Sequence, residues 1–296
     1  MKKILGLIAL SALMASDTAH ALEVQVNTTD GVYHKTVRDW TRSLSEVGGV
    51  SSTSYLTKLH KGQDRMHPAG HRDVIYWIPQ TTDLTRPFTM VVWFHGHHGF
   101  YRKRTFVNRT LAQLVPKAQQ GKNFVLVLPE MPWSSHGKTP TRRNGRIWTK
   151  PGDFLAFIKE SNDIVGNHHA SSCGEDRCKS MGKIDYRIVG HSAGGSTIMR
   201  LGMTGDLCKI NPSMVVWSDS SYGRWLDRAW DGCLSKSTGT VTKVFVQRWL
   251  RPWKSATRLM KRYDTPPNNL ELHVKGKGWS HKLIGDNIVS LSHLLD

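Results

Sequence analysis

The sequence predicts an α/β fold: a mostly parallel central sheet with helices on both faces. Three observations carry this. The chain has 296 residues, 39% of them hydrophobic, enough for one large domain with a substantial core. Apolar runs of strand length alternate with segments of helical spacing. Most of those runs are continuously apolar, as strands buried on both faces are.

Taken in order, Lys2 and Lys3 precede the apolar run Ile4 to Met14, and Ala19-His20-Ala21 fits a small-x-small cleavage site. The run is too short to span a bilayer. Residues 1–21 therefore read as a signal peptide for export, with the mature domain over 22–296 and an N-terminal extension over 22–70. No other long apolar segment follows, so no transmembrane segment is expected. "HKTVRDWTRSLSEVGG" reads as a short helix ending at Gly48-Gly49. "DVIYWIP" alternates like a strand. "FTMVVWFHGHHGF" is a buried-type strand running into a His/Gly loop. "RTLAQLVPKAQQGKN" reads as a helix interrupted at Pro116, and "FVLVLPE" as another buried strand. "GDFLAFIKESNDIVGN" has its apolar residues at helical spacing. Four further strands follow: "IDYRIVGHS", "SMVVWSD", "TKVFVQRWL" and "NLELHVKG". Two longer loops, Pro132 to Gly152 and Cys173 to Gly182, are expected over the sheet edge where ligands bind.

The chemistry concentrates in "YRIVGHSAGGSTIM". Gly190-x-Ser192-x-Gly194 lies between a strand and a helix-capable segment, the context of a nucleophile elbow. The tight turn lifts a serine above the sheet, close to a helix N-terminus whose amides favour developing negative charge.

Together with "HGHHG", an acid after a later strand and a histidine near the end, this motif resembles the α/β-hydrolase fold family, especially its secreted serine esterases and lipases. The resemblance covers the chain from about Asp73 onward. It implies the order serine, acid, histidine and no cofactor. His281, after the last strand and before a helix, takes the place of the base. The family's commonest acid position lies after "KVFVQRWL", where only Arg251, Pro252, Trp253 and Lys254 follow. Asp219, one strand earlier, is the candidate acid, and Asp264 is the runner-up. The amides of Ala193 and His97 are the candidate oxyanion hole, with Gly96 allowing close approach. Three histidines on one loop, without further ligands, fall short of a metal set, so no metal is expected. Trp133, His191 and Trp279 are expected to line the substrate site.

Cys173, Cys178, Cys208 and Cys233 form an even set in an oxidising compartment, so disulfides are expected, with Cys173–Cys178 and Cys208–Cys233 the favoured pairing. The formal net charge is +18. That predicts attraction to an anionic envelope polymer or surface. No pattern for sequence-specific nucleic-acid binding is present. The expected substrate bears an ester: an acyl or acetyl ester, of a polysaccharide or polyester. An amide of envelope peptides is the alternative, and a non-catalytic basic envelope-binding protein is the third reading.

Overall fold

In a computed structural model the described residues are 46–47, 50–58, 73–97, 106–131, 147–173 and 180–296. They build one nine-stranded sheet in the order β1-β2-β3-β5-β4-β6-β7-β8-β9. The strands are β1 (Glu46–Val47), β2 (Val50–Lys58), β3 (Asp73–Pro79), β4 (Phe88–Phe94), β5 (Phe124–Pro129), β6 (Ile184–His191), β7 (Met214–Ser218), β8 (Val241–Gln247) and β9 (Leu270–Lys275). From β5 to β9 every neighbouring pair is parallel, whereas β1, β2 and β3 run antiparallel to their neighbours. The C-terminal ends of β4, β6, β7, β8 and β9 therefore share one edge of the sheet.

The helices are α1 (Ala112–Gln119), α2 (Asp153–Cys173), α3 (Gly195–Thr204), α4 (Asp206–Ile210), α5 (Trp225–Gly232), α6 (Arg251–Met260), α7 (His281–Asp286) and α8 (Ile288–Ser292). Strand side chains alternate strictly between two cores. Val74, Tyr76, Met90, Val92 and Phe94 pack with residues of α2, α3, α5 and α6. Ile75, Trp77, Val91 and Trp93 pack with residues of α1, α7 and α8. The period of two places one apolar stripe on each face, and helices cover both, as parallel sheets require.

Three expectations change. The helix read over 34–49 gives way at its end to strand β1, while 34–45 lie outside the described residues. Part of the N-terminal extension joins the sheet, because β2 pairs with β3 from Ser52↔Pro79 to Lys58↔Asp73. Finally, α1 is not interrupted at Pro116 but runs through it. Proline removes the donor that would bond the Ala112 carbonyl. Ala112 and Pro116 both lie on the exposed face, where water can serve that carbonyl. A π-helical turn, Phe106–Leu111, leads into α1.

Cys208 and Cys233 form a disulfide, with Cα atoms 6.0 Å apart, that ties α4 to the end of α5. Closing a loop of this length stabilises the fold by about 3 kcal/mol. Of the other pair, Cys178 lies outside the described residues. So do residues 1–21, read above as a signal peptide. No helix among the described residues is long and apolar enough to cross a membrane.

Candidate active site

β6 ends at His191, and the chain turns at once through a 3-10 turn, Ser192–Gly194, into α3. Ser192 sits at φ 53°, a left-handed conformation that non-glycine residues avoid at a cost of about 1 kcal/mol or more. The surroundings hold it there. A Cβ on Gly194 would lie 2.2 Å from the Phe94 carbonyl oxygen, so only glycine lets the turn approach the end of β4. Ser192 is half-buried, and Ala193, next to it, is buried within the turn.

Asp219 follows β7 directly, at φ 45°, and its side chain is fully buried. Its amide donates to the Phe245 carbonyl at 2.7 Å. Its Oδ1 accepts the Gln247 amide at 3.2 Å, and its Oδ2 lies 2.7 Å from His281 Nδ1. A buried carboxylate must be paired, and this one is satisfied by one amide and one imidazole. The bond assigns the proton to Nδ1 of His281, which leaves Nε2 as the acceptor. His281 opens α7, and its side chain is 36% exposed. The structure thus brings together Asp219 and His281, across 62 residues of sequence. Asp264 lies exposed between α6 and β9. Asp286 instead meets Arg109 and Lys282.

The loop after β4 closes on the serine. A Cβ on Gly96 would lie 2.9 Å from Ser192 Cβ and 2.9 Å from His191 Nδ1, so the close approach requires glycine. His95 is buried, and its Nε2 accepts the Met131 amide at 3.0 Å. His97 is exposed next to it. Among the described residues no cluster of histidine, cysteine, aspartate or glutamate could hold a metal ion.

His191 is 4% exposed. Its ring stacks on the His281 ring, with centroids 4.7 Å apart and planes at 28°. A Cβ on Gly285 would lie 2.4 Å from His191 Nε2, so α7 presses on the ring's far edge. Burial, and then the neighbouring His281 and Arg109, lower its pKa to about 3. It is neutral at any ordinary pH and places no positive charge beside His281. Strand alternation does not reveal this, because the contact comes from a helix near the C-terminus.

Trp133 lies outside the described residues. Trp279 is half-buried, two residues before His281, under the Lys275 ammonium, 5.1 Å from its ring centroid. Tyr222 was missed by the sequence reading. It is half-buried and its hydroxyl is within hydrogen-bonding reach of Ser192, while burial and the Asp219 charge raise its pKa. Its only sequence signal is its position three residues after the acid.

No protein-family model matches the chain, and no curated protein matches it. Many solved structures do. A protein described as FAE aligns over 85% of this chain and 90% of its own, with 12% identity and a TM-score of 0.51. The feruloyl esterase module from Clostridium thermocellum, in a mutant complexed with sinapinate, aligns over 86% and 92%, with 12% identity and a TM-score of 0.49. The fluorophosphonate-binding serine hydrolase F of Staphylococcus aureus aligns over 83% and 99%, with 12% identity and a TM-score of 0.46. Strand order, helix placement and the first of these likenesses agree: the chain has the α/β-hydrolase fold.

Proposed function

We propose that the protein is an exported serine hydrolase that cleaves a carboxylic ester by a Ser192–His281–Asp219 triad through an acyl-enzyme. The observation that carries this is the 2.7 Å bond from buried Asp219 to the imidazole of His281, on the same sheet edge as a serine held at φ 53°. A lone serine turn has no use for a buried carboxylate aimed at a histidine; a nucleophile does.

His281 Nε2 takes the Ser192 proton as the hydroxyl attacks the ester carbonyl. Asp219 fixes the ring orientation and stabilises the imidazolium that forms. His191, uncharged beneath the ring, packs against it without repelling that charge. The Ala193 and His97 amides hold the oxyanion, on a loop that Gly96 lets approach. The imidazolium then protonates the leaving alcohol, and water, activated by the same base, releases the acyl group. The names of the structural neighbours, esterases and serine hydrolases, fit this reading.

The test is hydrolysis of p-nitrophenyl acetate and of a matched acetanilide by wild type and by Ser192→Ala. Ester turnover that the substitution abolishes is the expected result. Anilide turnover exceeding ester turnover would replace the reading with an amidase. Equal activity in the variant would remove the serine from the chemistry.

A further inference from the structure

The basic residues around α6 divide into two groups. Arg258 pairs with Asp227, at 2.5 Å, and Arg262 with Asp231, at 2.7 Å, so both are neutralised within the molecule. Arg248, Arg251, Lys254 and Lys275 have no ion pair among the described residues. Arg251 and Lys254 sit in and beside the first turn of α6, which holds no acidic residue. Cations there oppose the helix dipole. Their placement carries a local cost that no ion pair among the described residues offsets.

Two of these cations lie against aromatic rings: Arg248 on Trp249 and Lys275 on Trp279. Trp249, just past β8, is 70% exposed and held at φ 73°. An indole both exposed and strained is doubly unfavourable for a residue without a partner. The Arg248 guanidinium lies 5.0 Å from its ring centroid. Trp253 meets it edge-on at 5.1 Å. The Arg248 amide donates to the Lys275 carbonyl at 3.0 Å, which fastens this turn to the end of β9. The platform therefore stands on the sheet edge that also carries Asp219 and leads to His281.

We infer that Arg248, Trp249, Arg251, Trp253 and Lys254 form a binding platform for an acidic polysaccharide, a sugar ring stacking on Trp249 and carboxylates meeting the cations. This deepens the proposed function, on which it rests, by naming the substrate class as an ester borne by a uronate-containing polymer. An exposed indole with a guanidinium against it, close in sequence to further cations, suits a ring with an apolar face and an acidic edge. The export signal read from the sequence would bring the protein to such polymers.

The test measures binding of polygalacturonate, neutral dextran, duplex DNA and anionic phosphatidylglycerol vesicles to the Ser192→Ala protein. Binding is then read without turnover, so failure of the platform and failure of the hydrolase reading are separate results. Polygalacturonate is expected to bind and dextran not. Trp249→Ala should weaken binding about tenfold, and Trp249→Phe should restore most of it. Arg251→Gln with Lys254→Gln should weaken it at low salt. Melting curves establish that the variants are folded, and should Trp249→Ala unfold, Trp249→Tyr against Trp249→Leu decides the same point. Polygalacturonate binding unaffected by loss of the ring would reduce the platform to bulk charge and overturn it. Tighter, Trp249-dependent binding of DNA or of vesicles would overturn it in favour of those partners.

Discussion

At the end of β6 the His191 ring is 4% exposed, uncharged and wedged between His281 and α7. Just past β8, on the same sheet edge, Trp249 is 70% exposed, with the Arg248 guanidinium against its ring and no ion pair to Arg248 among the described residues. Both are aromatic side chains next to a strand end, in the vicinity of one site. The first is packed closely by His281 and Gly285, and the second leaves room for something to arrive. Proton transfer needs a base whose orientation and neighbours are fixed before substrate binds. Recognition of a large charged ligand needs exposed area and unspent charge. The difference separates the residues expected to change turnover from those expected to change binding.

The largest expected effect lies on the buried side. Asp219→Asn keeps the shape but loses the charge that orients His281, and kcat for p-nitrophenyl acetate should fall about 10⁴-fold, with KM little changed. A fall of less than tenfold would break the assignment of the acid and reopen it to another carboxylate. Next, His191→Ala removes the support under the His281 ring. It should lower kcat about tenfold with little change in KM, and His191→Phe should recover most of the loss, because the ring acts by packing. If phenylalanine fails where histidine works, the imidazole itself takes part.

The same residue gives a pH signature. Burial holds the folded pKa of His191 at about 3, against 6.5 for an exposed imidazole. Below 6.5 the unfolded chain takes up a proton that the folded chain does not. This group therefore lowers stability as the pH falls from 6.5 towards 3, by up to about 1.4 kcal/mol per pH unit, and contributes nothing above 6.5. His191→Phe should flatten that part of the stability profile in denaturant titrations. An unchanged slope would mean that the acid sensitivity arises elsewhere. The smallest effect is expected at Tyr222, whose hydroxyl reaches Ser192. Tyr222→Phe should lower kcat severalfold, roughly the worth of one net hydrogen bond. No change would make the tyrosine a wall of the site and nothing more.

β4 and β5 were legible because parallel strands buried on both faces read as apolar runs, and β3 because its residues alternate like a strand. Ser192 and Asp219 were candidates because each follows such a run directly, and His281 because the resemblance places the base after the last strand and before a helix. β2 was missed because "VSSTSYLTK" is rich in serine and threonine, and a strand near the sheet edge needs no continuous apolar run. The burial of His191 was not legible because α7, which carries Gly285 against its ring, comes long after the serine motif. In sequence, residues 251–262 carry Arg251, Lys254, Arg258, Lys261 and Arg262 and no acid. Only the fold shows that Arg258 and Arg262 are consumed by Asp227 and Asp231, while Arg248 lies on an exposed indole and Arg251 and Lys254 have no ion pair among the described residues.

The most direct measurement is covalent labelling of the folded protein with a fluorophosphonate probe, followed by mapping of the labelled peptide, in wild type, Ser192→Ala and Asp219→Asn. The expected result is label on Ser192 in wild type, none in Ser192→Ala, and much slower labelling in Asp219→Asn. Folded protein that takes up no label, or label that persists in Ser192→Ala, would contradict the triad.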